Sequence, residues 1–117
     1  MTQPNIQVEV RKNPGVAVIR IEGEVTAFAE ERLMDAYSQV DGHPIRTILL
    51  DFSGLDYMNS TGIGLLVTLL IRSQRQEQRL MACGLSDHYK QIFDLTRLNE
   101  AIAIYDTEAE ALAAVGA

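Results

Sequence analysis

The chain reads as an α/β domain with a mixed, mostly parallel sheet of four to five strands, the first antiparallel at an edge, and about four helices. Three observations carry this reading. After an initial pair of strand-like segments, strands alternate with stretches of helical spacing. The segment Thr47-Ile-Leu-Leu50 is continuously apolar, as a strand must be when helices cover its sheet. The length, 117 residues, suits a single core, so residues 1–117 are read as one domain.

The elements follow in order. Ile6, Val8 and Val10 alternate with Gln7, Glu9 and Arg11, the period of a half-exposed edge strand. Lys12-Asn-Pro-Gly15 is a turn signal, and Val16 to Ile21 is apolar enough for an interior strand, so the two predict a hairpin. Gly23-Glu-Val-Thr26 breaks the pattern. Ala29, Leu33, Ala36, Tyr37 and Val40 recur at helical spacing, with Glu30, Glu31, Arg32 and Asp35 opposite. Asp41-Gly-His-Pro44 stops that helix. A strand from Arg46 to Phe52 then runs into a short polar loop. The second helix spans about Thr61 to Glu77; its apolar first half is expected on the sheet, its polar end, Arg72 to Gln78, in water. Leu80 to Cys83 is the next strand. Ser86 is placed to cap a third helix with Tyr89, Ile92 and Phe93 inward. Ile102 to Tyr105 is a last short strand, and Thr107 and Glu110 have capping-box spacing before a closing helix with Ala109, Leu112 and Ala113 inward.

Composition excludes several functions. The net charge of −6 argues against nucleic acid, whose phosphates need a basic face, and disfavours an anionic membrane surface. The longest apolar run, Ile63 to Ile71, falls short of the roughly 20 residues that span a bilayer, so no direct membrane insertion is expected. The polar N-terminus around Pro4 lacks a secretory signal, which makes the cytoplasm the expected compartment. The lone Cys83 sits in an apolar stretch and reads as a buried small residue rather than a reactive thiol. Arg72, Arg75 and Arg79 form a basic stripe that reads as a solvated face, or else as one that meets acidic groups.

No enzymatic constellation emerges. His43 reads as a turn residue and His88 as a surface helix residue; neither has partners at metal-ligand spacing. There is no Walker loop and no Gly-x-Gly-x-x-Gly after a strand, so no cofactor is expected. Asp51 at a strand end invites comparison with a phosphate-accepting receiver aspartate. That chemistry needs an acidic pair after the first strand and a lysine after the last; here stand Arg11-Lys12 and Tyr105-Asp106. The domain is read as a binding protein, not an enzyme.

The most informative stretch is Asp51 to Gly64. A strand and a loop lead to adjacent hydroxyls, Ser60 and Thr61, at the start of the most apolar helix. Ser60 is thereby either a plain cap, a role Asn59 can also fill, or a hydroxyl presented at the positive end of a helix. A phosphate there is expected to meet the amides of Thr61 and Gly62. Gly62 and Gly64 are expected to open the first turn to a partner, and Met58 and Ile63 to offer apolar contacts. Glu24 and Asp51, at the ends of adjacent strands, are expected at the same edge as Ser60 or as solvated loop carboxylates.

The run Leu49-Leu-Asp51-Phe-Ser-Gly-Leu-Asp-Tyr-Met-Asn59-Ser60-Thr-Gly-Ile-Gly64 resembles the signature of the STAS domains, best known as bacterial anti-sigma factor antagonists. Ile21-Glu-Gly-Glu-Val25 is similar to that family's Gly-Glu-Leu-Asp segment, and Phe93 to Leu98 to its third helix and exit loop. The resemblance implies the STAS fold and a partner-switching role. The serine matching Ser60 is the phosphoacceptor of a serine kinase, a histidine-kinase-like ATPase that is itself the anti-sigma factor. The unmodified domain binds that kinase, the phosphorylated one lets go, and a phosphatase resets it. The implied docking surface comprises Glu24, Thr26, Asp51, Met58, Asn59, Thr61, Gly62 and Ile63. Two positions depart from the pattern: Asn59 and Thr26 stand where aspartate is usual, which removes two carboxylates. The alternative is a non-phosphorylated STAS scaffold in a signalling assembly or a lipid-transport complex.

Overall fold

The computed structural model describes residues 5–41 and 44–115. Five strands lie side by side in chain order: β1 (Ile6–Asn13), β2 (Val16–Val25), β3 (Thr47–Met58), β4 (Arg79–Cys83) and β5 (Ala103–Tyr105). β1 is antiparallel to β2 and the other pairs are parallel, as expected. The helices are α1 (Glu30–Ser38), α2 (Ser60–Arg75), α3 (Asp87–Leu95) and α4 (Glu108–Val115). Gly42 and His43, in the expected stop after α1, and Pro4 lie outside the described residues.

Two unequal cores sandwich the sheet. On one face Leu33 and Tyr37 of α1, Leu65, Leu66 and Leu69 of α2, and Tyr89 and Phe93 of α3 pack with Ile19, Ile21, Ile48, Leu50 and Phe52. On the other, Val18, Leu49, Met81 and Cys83 lie under Ala111 of α4. The period of two divides β3 between them: Leu50 and Phe52 face the large core, Leu49 and Asp51 the small one. Burial pushes the Cys83 thiol up to about 12, with the neighbouring Asp51 carboxylate adding to the shift.

Three expectations are corrected. First, the polar loop after Phe52 is strand: β3 continues to Met58 because Glu22 to Val25 continue β2 alongside it. The pairing steps from Arg20–Asp51 to Glu22–Gly54, so β3 carries an extra residue, and the Asp51 carboxylate accepts the Ser53 amide at 2.9 Å within that bulge. A second step follows Gly23, whose φ of +96° suits glycine and whose added Cβ would lie 2.3 Å from the Asn5 carbonyl oxygen.

Second, the polar end of α2 projects into water only in part: Gln74, Arg75, Gln76 and Glu77 are exposed as expected, but its two flanks are held by the domain. Ser73 is fully buried, and the buried Gln78 accepts the Tyr37 hydroxyl at 2.8 Å while donating to the Val40 and Ile45 carbonyls. The Arg72 guanidinium stacks 4.6 Å from the Tyr37 ring centre and reaches Asp41, while Arg75 and Arg79 are exposed, Arg79 on β4 with its guanidinium donating to the Tyr105 hydroxyl, so the expected solvated face holds at Arg75 and Arg79 and not at Arg72. Burial raises the Tyr37 pKa, Asp41 adds to the rise and Arg72 opposes it. Third, α4 turns Ala111 inward and leaves Ala109 and Ala113 exposed, because the helix is rotated from the expected face to fit the small core. The Thr107 cap is present, its hydroxyl accepting the Glu110 amide at 3.1 Å.

Candidate functional site

The site grows from the end of β3. Met58, the last residue of that strand, pairs with Val25 and buries its side chain. Asn59 is extended, with φ −96° and ψ −177°. Its Oδ1 accepts the Gly62 amide at 2.9 Å, its carbonyl accepts the Ile63 amide at 3.0 Å, and its own amide donates to the Val25 carbonyl at 3.3 Å. Asn59 is therefore the N-cap of α2. That leaves Ser60 as the first helical residue, exposed, its hydroxyl without a hydrogen-bond partner among the described residues. Thr61 is exposed beside it.

With the Gly62 and Ile63 amides already satisfied, the donors still open in the first turn are those of Ser60 and Thr61. The Gly62 amide, expected to be open to a ligand at this helix end, is taken by the Asn59 side chain. Gly62 serves packing instead, since a Cβ there would lie 2.1 Å from the Val25 carbonyl oxygen and 2.8 Å from Met58 Cγ. It lets α2 start hard against the end of β2. Gly64, in contrast, has open space around its Cα, as expected of an accessible first turn.

The expected residues divide accordingly. Glu24 pairs with Tyr57 at the end of the sheet, and Thr26 follows at the mouth of a 3-10 turn, Ala27–Ala29, where its hydroxyl accepts the Phe28 amide at 3.3 Å. That turn packs against α2, so Glu24, Thr26, Asn59, Ser60, Thr61 and the half-buried Ile63 are gathered at one edge. Asp51 is not among them. It is only 8% exposed and precedes Met58 by seven strand residues, which at about 3.3 Å each is roughly 23 Å. The unforeseen extension of β3 is the reason. Met58 is also removed as an outward contact, because it is buried against Val25 and Gly62.

Two aromatic residues that the sequence reading overlooked border this edge: Phe28 is 64% exposed and Tyr57 50% exposed. Both carried a signal. Phe28 falls off the apolar spacing that begins with Ala29, and Tyr57 must point away from the large core once Met58 points into it. The ion pairs among the described residues, Arg11–Glu108, Arg20–Glu22, Arg72–Asp41 and Lys90–Asp106, leave Glu24 and Asp56 without a basic partner. The edge therefore combines apolar rings, free carboxylates and an exposed hydroxyl. No cluster of three potential metal ligands occurs among the described residues.

An exposed serine at the head of a helix, on a mixed sheet in strand order 1-2-3-4-5, is the arrangement of a STAS domain. Residues 7–111 match the STAS domain family, and the chain belongs to it. It is similar to the anti-sigma-B factor antagonist of Listeria monocytogenes, with 28% identity over 110 residues, 91% of this chain and 94% of that one. An anti-sigma factor antagonist from Mycobacterium paratuberculosis superposes with a TM-score of 0.83 at 21% identity, over 100% of both chains. The anti-sigma factor antagonist SpoIIAA in its unphosphorylated form gives a TM-score of 0.73 at 25% identity, over 94% of this chain and 96% of that one. The phosphorylated form of SpoIIAA from Bacillus gives 0.74 at 23% identity, over 93% and 99%. No helix among the described residues is long and apolar enough to cross a membrane.

Proposed function

We propose that this domain is an anti-sigma factor antagonist that works by binding rather than catalysis. Its unmodified Ser60 edge docks on an anti-sigma factor that doubles as a serine kinase of the histidine-kinase-like ATPase type. Phosphorylation of Ser60 releases that partner, and a phosphatase restores the hydroxyl. The observation that carries this reading is the division of labour between neighbours: Asn59 caps α2, so the exposed Ser60 hydroxyl has no structural duty. The relatives' names support the class of partner.

The energetics suit a switch. A phosphate adds about −1.5 to −2 charges at neutral pH. In the free domain it faces two open amides and a favourable helix end, so the fold tolerates it. Within an interface the same group is desolvated against the partner, and an unpaired charge there costs about 2–5 kcal/mol. Since about 1.4 kcal/mol is tenfold, binding weakens by roughly 30- to several-thousand-fold.

The test is to incubate the domain with ATP and a kinase that binds it, and to read intact mass. One phosphoryl group is expected on the wild type and none on Ser60→Ala. The modified domain should then lose the kinase in a pull-down. A kinase that binds but adds no phosphate would instead support the scaffold reading, which the missing carboxylates at Asn59 and Thr26 favour.

A further inference from the structure

We propose that Tyr89 is a positioning residue for Ser60, its hydroxyl standing in for a missing strand on the free edge of β3. β3 is paired with β2 as far as Met58, but with β4 only as far as the Asp51–Cys83 pair. Beyond Asp51 no strand among the described residues borders its other edge. Successive residues of a parallel strand direct their backbone polar groups to alternate sides. Asn59 donates to Val25 on the β2 side, so Met58 directs its groups toward α3. There the Met58 amide donates to the Tyr89 hydroxyl at 2.8 Å, and that hydroxyl lies 3.5 Å from the Met58 carbonyl oxygen.

The bond is buried, and a buried amide without a partner is costly. Tyr89 is itself well held. Its ring belongs to the large core, its amide donates to the Ser86 cap, and the His88 ring packs edge-on at 4.9 Å. A short chain of contacts results. Tyr89 fixes Met58, Met58 adjoins Asn59, and Asn59 caps the turn that presents Ser60. Tyr89 touches neither the hydroxyl nor any partner group; it acts through the backbone.

The consequence for phosphorylation rests on the function proposed above, whereas the consequence for the turn does not. In Tyr89→Phe the ring remains and the hydroxyl is lost. Amide exchange followed by NMR should quicken roughly tenfold at Met58, Asn59, Gly62 and Ile63, beyond any change at Leu49 and Leu50. Tyr105→Phe, which loses a hydroxyl on β5, should leave those four amides unchanged. With a kinase that modifies the wild type, kcat for phosphoryl transfer to Tyr89→Phe should fall by roughly tenfold at unchanged KM. Uniform exchange across the sheet, or phosphorylation at the wild-type rate, would overturn the assignment. A wild type left unphosphorylated by a kinase that binds it sinks the proposed function, and the exchange result then judges Tyr89 by itself.

Discussion

Replacing Gly62 by alanine should destabilise the domain, although alanine is the better helix former. The added methyl would stand 2.1 Å from the Val25 carbonyl oxygen, 2.8 Å from Met58 Cγ and 2.9 Å from the Val25 carbonyl carbon. Two of the three are backbone atoms, so no side-chain rotation relieves the contact. The first gap is about 1.3 Å short of ordinary packing, and closing it requires α2 to lift from the end of β2. Overpacking of this kind costs about 1–3 kcal/mol. The Asn59 amide bond to the Val25 carbonyl is lost with the movement, at about 1 kcal/mol. Helix propensity returns about 1 kcal/mol. The net loss is about 1–3 kcal/mol, and at about 4 °C per kcal/mol for a domain of this size Tm falls by roughly 4–12 °C. Urea unfolding followed by circular dichroism measures it, with Gly64→Ala as the matched control. That second site is in the same turn but has nothing within 4 Å, so its alanine should stabilise by about 0.5–1 kcal/mol. The same sign for both variants, or a Gly62→Ala domain as stable as the wild type, would refute the packing argument.

Asn59→Ala removes the cap of α2 and should cost about 1 kcal/mol, whereas Asn59→Asp keeps it and gains about 0.3–1 kcal/mol from the helix dipole, both read from urea midpoints at low salt. Gln78→Ala strips partners from the Tyr37 hydroxyl and the Val40 and Ile45 carbonyls, and should lower stability by about 2–4 kcal/mol in the same assay. The Cys83 thiol is held protonated in the fold up to about 12, above its ordinary value. The unfolded chain therefore releases that proton first, and stability contributed below the ordinary thiol value is lost as pH rises from about 9 toward 12. Cys83→Ala should flatten the stability–pH slope over that window, and an unchanged slope would count against the burial argument.

Most of the architecture was legible from periodicity. The inward faces of α1 and α3, the edge hairpin and the apolar centre of β3 all follow from spacing, because a buried stripe must repeat with its element. The site was legible in kind: a hydroxyl at the head of α2, next to Thr26 and Glu24. Its extent was not. Gly54, Asp56 and Asn59 made residues 53–58 look like loop, yet Glu22 to Val25 offer a paired edge, and backbone hydrogen bonding overrides local polarity. That extension carried Ser60 away from Asp51.

The amino-acid order by itself determined that this chain makes a helix-covered parallel sheet and offers Ser60 where α2 begins, since both depend on local periodicity and capping chemistry. Only the tertiary structure decided which neighbours share that edge. The depth of pairing between β2 and β3, the closeness of Gly62 to Val25 and the reach of Tyr89 to Met58 are contacts between segments distant in the chain. No local pattern encodes them, because each is set by how the finished layers pack.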